Sequence, residues 1–224
     1  MNNLPPFTFP EVPILLYHHV ADGPANYLTL DPAIFEVQMK YLYESGFQTI
    51  SLYQLYSTYY LNLALPQKPV IITFDDGLID QYTTALPILR RYHFTATFFI
   101  QTEAVEKREG THMTWKQIAH MKQLGMCIEA HSLTHADLRT LSAEEQTREI
   151  YGSKMAIERK LSFPVKFFAY PGGLFDNSSL IIVRRSGFLG AVTGEPGKVA
   201  VGEDPFTLKR IVVGKTSFEE VIGS

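Results

Sequence analysis

The chain has 224 residues, enough for one compact domain and tight for two, so residues 1–224 are read as a single domain. Apolar residues at 46% and charged residues at 19% are ordinary for a globular chain and exclude disorder. A net charge of -3 leaves no basic field for a nucleic acid or an anionic membrane, and the lone cysteine, Cys127, excludes an internal disulfide or a CxxC site.

Met1–Pro6 has neither the basic residues nor the apolar core of an export signal, which leaves a trimmed leader open. The apolar run Val12–Tyr17 reads as a first strand and is far too short to cross a bilayer. A turn-rich loop follows from Ala21 to Thr29. Asp31 then caps a helix with Pro32 at its first position, Phe35, Met39 and Leu42 form its buried stripe, and Gly46 ends it. Tyr53, Tyr56, Tyr59 and Tyr60 lie at helical spacing.

Pro69–Phe74 is nearly all apolar and β-branched, the pattern of a strand buried on both faces. Tyr82–Tyr92 reads as helix despite Pro87, and Thr95–Ile100 as strand. Thr114 and Gln117 form a capping box opening a helix to Leu124, closed by Gly125, and Met126–Ala130 returns as strand. Ser142 and Glu145 repeat the capping box before the longest helix, which runs to about Leu161. Strands near Val165–Ala169, Phe188–Val192 and Leu208–Val213 complete the series, with a helix around Ser178–Arg185.

This alternation calls for a parallel sheet with helices outside it. About seven units fit, few for a closed eight-fold barrel, so the expected fold is a distorted or incomplete (β/α) barrel rather than a doubly wound open sheet. Either architecture collects its chemistry at the C-terminal ends of the strands.

Those ends carry the polar residues: His18 and His19, then Asp75-Asp76-Gly77, then His131-Ser132-Leu133-Thr134-His135, then Tyr170-Pro171-Gly172-Gly173. Adjacent carboxylates repel unless a cation or hydrogen bonds offset them, and a metal would leave one Asp as ligand and one as base. Taken alone, Asp-Gly is also a common turn signal. His131 and His135 share a face in a helix or a tight turn. With a carboxylate they form a donor set for Zn²⁺ or another divalent first-row metal, although alone they could be plain surface histidines.

One of His18 and His19 is expected to be a structural strand-end residue and the other a general acid. His93, His112 and His120 are given no role. Trp115 and the tyrosine cluster could stack on a sugar ring, with packing the commoner use of such tyrosines. No GxSxG, Walker-type or GxGxxG motif is present, and Cys127 falls in a buried strand that disfavours a thiolate.

These residues resemble the polysaccharide deacetylases with a NodB homology domain, carbohydrate esterase family four, over about Val12–Val213. Thr73-Phe74-Asp75-Asp76-Gly77 matches the family's TFDDG motif, and His131–His135 its H[ST]xxH motif. Phe168–Gly173 is similar to a degenerate third motif. The resemblance implies a divalent metal, commonly zinc, on Asp76, His131 and His135, with Asp75 as base. It implies that Tyr170 and Pro171 line the groove and that a backbone N–H at Gly172 holds the oxyanion.

Two departures stand out. The third motif's usual Arg aligns with Ala169, and Arg210 on the last strand is the candidate replacement brace for Asp75. No histidine follows His135, so the late LxH motif that supplies the family's usual acid is absent. The poly-N-acetylglucosamine deacetylase branch instead takes its acid from the end of the first strand. Leu16-Tyr17-His18-His19-Val20 resembles that segment and makes His18 the acid; Pro205–Ile211 is also similar to that branch.

The function implied is hydrolysis of N-acetyl groups on a polysaccharide, with release of acetate. An O-deacetylase of xylan-like polymers and an inactive carbohydrate-binding relative are the alternatives, while few Arg or Lys near the motifs make a phosphoesterase a poor fit. The resemblance also favours an extracellular or cell-surface location. No export signal in the chain supports that, so the cytoplasm stays open. Oligomeric state is not legible.

Overall fold

The structure is a computed structural model, and it describes residues 11–23, 28–61, 63–200, 202–213 and 218–223. The readings of Met1–Pro6 and of the middle of the Ala21–Thr29 loop fall outside those residues.

Seven strands form the centre: β1 (Ile14–Tyr17), β2 (Pro69–Phe74), β3 (Thr97–Ile100), β4 (Cys127–Ala130), β5 (Phe167–Ala169), β6 (Gly190–Pro196) and β7 (Leu208–Val212). Each pairs in parallel with the next. β1 also pairs with β7, Leu15 opposite Ile211, which closes the ring. The fold is therefore a closed, all-parallel (β/α) barrel of seven strands, and the open-sheet alternative is set aside. Closure is complete; the distortion is local, a register shift between β6 and β7 around Leu208–Arg210.

Helices α1 (Pro32–Glu44), α2 (Leu52–Leu61), α3 (Leu86–Arg91), α4 (Thr102–Lys107), α5 (Trp115–Gln123), α6 (Ala143–Leu161), α7 (Asn177–Arg185) and α8 (Phe218–Gly223) accompany the strands. Their starts follow local chemistry. Asp31 accepts from Ala33 N at 2.8 Å, and both expected capping boxes form, at Thr114/Gln117 and Ser142/Glu145. Pro87 is accommodated because a π-turn over Gln81–Ala85 ends just before it, so the wide turn closes on Leu86 N and no N–H is needed at Pro87. The short α4 has no counterpart in the sequence reading, since six residues give too little periodicity to detect.

Strand alternation sorts the apolar residues into two layers. Phe74, Phe98, Ile128 and Phe168 face outward against Phe35, Leu89, Ile118, Ile150 and Val183 of the helices. Ile14, Ile71, Phe99, Phe167, Ala169 and Leu208 fill the barrel and meet Leu52 and Leu55 of α2. Since Phe167 and Leu208 begin their strands, α2 plugs the N-terminal end of the barrel. The opposite end is left for the polar residues. Among the described residues, no helix is long and apolar enough to cross a membrane.

Candidate active site

The strand ends open into a cavity of about 370 Å³. His18, Asp75, Asp76, His131, His135 and Arg210 line it together with Gly172, Gly173 and Gly194, and Leu16, Leu28 and Val212 supply an apolar side.

Asp75 and Asp76 part company at the end of β2. Asp75 points into the barrel and is buried, whereas Asp76 takes a left-handed backbone (φ 74°) and Gly77 continues the turn at φ 81°, so that both side chains border the one cavity. A non-glycine residue in that region stores of order 1–3 kcal/mol, a strain that persists only where the surroundings fix it.

Asp75 meets Arg210 in a two-pronged contact: Nη1 donates to Oδ1 at 2.8 Å and Nη2 to Oδ2 at 2.7 Å. The guanidinium is itself fully buried, with Nη1 donating to Thr73 Oγ1 at 3.3 Å and Nε to the Thr193 carbonyl at 2.9 Å. Burial alone would raise the pKa of Asp75, but the Arg210 guanidinium outweighs it and holds the carboxyl below its ordinary value. Gln81, at the head of the π-turn, donates its side-chain amide to the Asp75 carbonyl at 2.5 Å and the His18 carbonyl at 3.2 Å, tying the ends of β1 and β2 together.

His131 and His135 lie in a turn rather than a helix. Ser132 and His135 are left-handed (φ 61° and 64°), and Ser132 Oγ accepts from His135 N at 2.9 Å. The two rings stand 4.9 Å apart. His131 Nδ1 lies 2.8 Å from the Ala169 carbonyl, which can only accept, so the ring proton is there and the Nε2 lone pair faces the cavity. Asp76 Oδ1 is 3.5 Å from His131 Nε2 and 3.6 Å from His135 Nε2. That oxygen is buried and has no hydrogen-bond partner among the described residues. A buried orphan oxygen, with three donor atoms within 4.8 Å of one another, fits a divalent first-row cation.

His18 also lines the cavity, its Nδ1 buried and without a hydrogen-bond partner among the described residues. Burial lowers its pKa, against the pull of Asp75 and Asp76. His19 turns away to Asp80, Nδ1 to Oδ2 at 2.6 Å. The opposite wall has no side chains: a Cβ on Gly173 (φ 72°) would lie 2.4 Å from Gly194 Cα. Gly172 borders the cavity from the same left-handed turn.

Residues 62–191 match the family profile described as polysaccharide deacetylase. The chain belongs to the polysaccharide deacetylase family. That match spans Asp75, Asp76 and both cavity histidines that follow β4, but neither His18 nor Arg210. The Bacillus subtilis protein YxkH is 30% identical over 203 residues, covering 91% of this chain and 71% of its own. A poly-β-1,6-N-acetyl-D-glucosamine N-deacetylase of Staphylococcus aureus is 28% identical over 206 residues, 84% of this chain and 69% of that one. Among solved structures, a Streptococcus pyogenes deacetylase, PplD, in complex with acetate superposes with a TM-score of 0.90 at 30% identity, covering 95% of this chain and 97% of that one. IcaB from Ammonifex degensii shares the fold, with a TM-score of 0.85 at 24% identity over 96% of this chain and 97% of that one.

Three residues expected to touch substrate lie outside this cavity. Ala169 faces into the barrel, so the next residue, Tyr170, must face out; it is fully buried, stacked on Phe175 at 5.0 Å. Pro171 is buried beneath the glycine turn. Trp115 donates Nε1–H to Glu106 at 2.7 Å at the head of α5 and does not line the cavity. Conversely, Gln81, Gly194, Leu28 and Val212 are cavity or bracing residues that no sequence motif marked.

Proposed function

We propose that this chain is a single-domain, metal-dependent N-deacetylase acting on N-acetylglucosamine units of a polysaccharide outside the cytoplasm. The observation that carries this reading is the placing of an ionised, Arg210-clamped Asp75 and of His18, whose Nδ1 has no partner among the described residues, in one cavity with the Asp76–His131–His135 donor set. The deacetylase from Staphylococcus aureus supports the substrate class.

Asp76, His131 and His135 would hold the cation, with Zn²⁺ the ion best suited to two imidazoles and a carboxylate. Such a cation polarises a carbonyl and makes water acidic enough to attack at neutral pH. The chain's own groups do the rest. Asp75, kept ionised by Arg210, accepts a proton from the water that adds to the acetamide carbon. As the C–N bond breaks, His18 donates a proton to the sugar nitrogen, and burial makes its protonated ring a stronger acid. Acetate and a glucosamine unit are the products. The backbone at Gly172 is the proposed donor to the oxyanion, where a bare glycine turn lets a carbonyl oxygen come close.

The test is acetate release from β-1,6- and β-1,4-linked N-acetylglucosamine oligomers and from acetylated xylan. Release should stop with EDTA, and Asp75→Asn and His18→Ala should each lower it by about 10²–10⁴-fold. Release from xylan alone, with His18→Ala nearly unaffected, would favour the esterase reading, because an alcohol leaves without much protonation. Metal binding without release from any polymer would favour the binding-protein reading.

A further inference from the structure

We infer that Glu149 and Gly152, one turn of α6, are positioning residues that set the affinity of the metal centre through the loop between His131 and His135. The inference rests on the reading that Asp76, His131 and His135 hold a divalent cation.

That loop has two left-handed non-glycine residues, Ser132 and His135, so its shape is not what the backbone would choose alone. Something must hold it, and the grip comes from both sides. Thr102 N and Glu103 N of α4 donate to the carbonyls of Ser132 and Leu133 at 3.2 and 2.9 Å. From α6, Glu149 Oε2 accepts from Leu133 N at 3.0 Å and from Thr134 N at 2.9 Å, and its Oε1 accepts from Thr134 Oγ1 at 2.9 Å. Glu149 is 4% exposed. All three bonds end between the two histidines, so a single buried carboxylate fixes the separation of the rings it never touches.

Gly152 completes the grip. A Cβ there would lie 2.9 Å from Leu133 Cδ1 and 3.3 Å from Leu133 Cγ, so the missing side chain is the seat of Leu133. Glycine in the middle of a 19-residue helix is otherwise unfavourable, and no turn or positive φ requires it here. Its place in α6 is accounted for by the loop it receives.

Two substitutions separate positioning from mere stability. Glu149→Gln keeps one carbonyl oxygen for the two backbone N–H groups, and its amide can donate to the Thr134 hydroxyl in place of the lost bond. Glu149→Ala keeps nothing. Gly152→Ala favours the helix while pushing on Leu133, so helix stability and loop geometry move in opposite directions.

The experiment is calorimetric titration of Zn²⁺ into chelator-stripped protein, with melting temperatures recorded in EDTA. Glu149→Ala should weaken zinc binding by about 10- to 100-fold, as loss of an outer partner of a metal ligand does. Glu149→Gln should restore affinity to near wild type, and Gly152→Ala should weaken binding several-fold without lowering the metal-free melting temperature. Equal zinc affinity in wild type, Glu149→Ala and Gly152→Ala would overturn the inference while leaving the metal centre intact. A wild-type protein that takes up no divalent cation would overturn both this inference and the reading beneath it.

Discussion

Two buried carboxylates sit inside the same barrel and are treated in opposite ways. Asp75, near the mouth, faces a guanidinium on both oxygens, and its pKa is held down. Glu129, toward the plugged end on β4, has among the described residues only the N–H groups of Lys166 and Phe167 as hydrogen-bond donors, both on Oε2 at 2.7 and 2.8 Å. Burial pushes its pKa up to about 7. The difference shows that depth alone does not decide charge; a full countercharge keeps Asp75 ionised where chemistry is proposed, while Glu129 is left near neutrality where a staple for β5 suffices.

Breaking the Asp75 arrangement should have the largest effect. Arg210→Met leaves a buried carboxylate without its partner, and about 3–5 kcal/mol of stability should be lost in urea unfolding, together with acetate release. Adding Asp75→Asn to that variant should return much of the stability and none of the activity.

Glu129→Gln sharpens the other half. The folded protein holds the Glu129 proton more tightly than the unfolded chain, whose ordinary value is 4.5, so this contribution is full below that pH and is lost as pH rises through about 7. Glutamine keeps the acceptor and cannot ionise. The variant should therefore gain on wild type between pH 5 and pH 8 by up to about 3 kcal/mol in denaturant titrations. Asp75 contributes with the opposite sign, losing stability only as pH falls below the ordinary carboxylate range. A pH-independent difference between the two proteins would sink the contrast.

Gln81→Leu tests whether the mouth needs its cross-tie. Two buried carbonyls lose their donor, which should cost about 1–3 kcal/mol. Misplacement of His18 against Asp75 should lower kcat by up to about 10²-fold with zinc affinity unchanged. Tyr170→Phe should do least. Its hydroxyl is buried without a partner among the described residues, so its removal should leave acetate release as it was and raise stability by up to about 1 kcal/mol, read as a small rise in Tm.

What was legible in the sequence was whatever lay contiguous. The TFDDG and H[ST]xxH segments, the capping boxes and the PVIITF strand each carry their own physics within a few residues. The conformation between His131 and His135 was not legible, because it is imposed by Glu149 and Gly152 from another helix. Tyr170 was misplaced since one residue of alternation at the end of a three-residue strand decides inward from outward. Arg210 could be nominated only from strand order, because pairing with Asp75 spans 135 positions of chain. Gln81 carried no signal at all, as the π-turn that aims it has no sequence period of its own.

The seam where β1 meets β7 has a consequence for synthesis. His18 arrives on the first strand of the ring and Arg210 on the last, so a chain emerging from the ribosome carries Asp75 long before its countercharge exists. Until Leu208–Val212 is released and docks beside β1, the ring has a gap and Asp75 lacks its partner. The strand that closes the ring is thus also the one that delivers the countercharge, so closure of the barrel and pairing of Asp75 are one event.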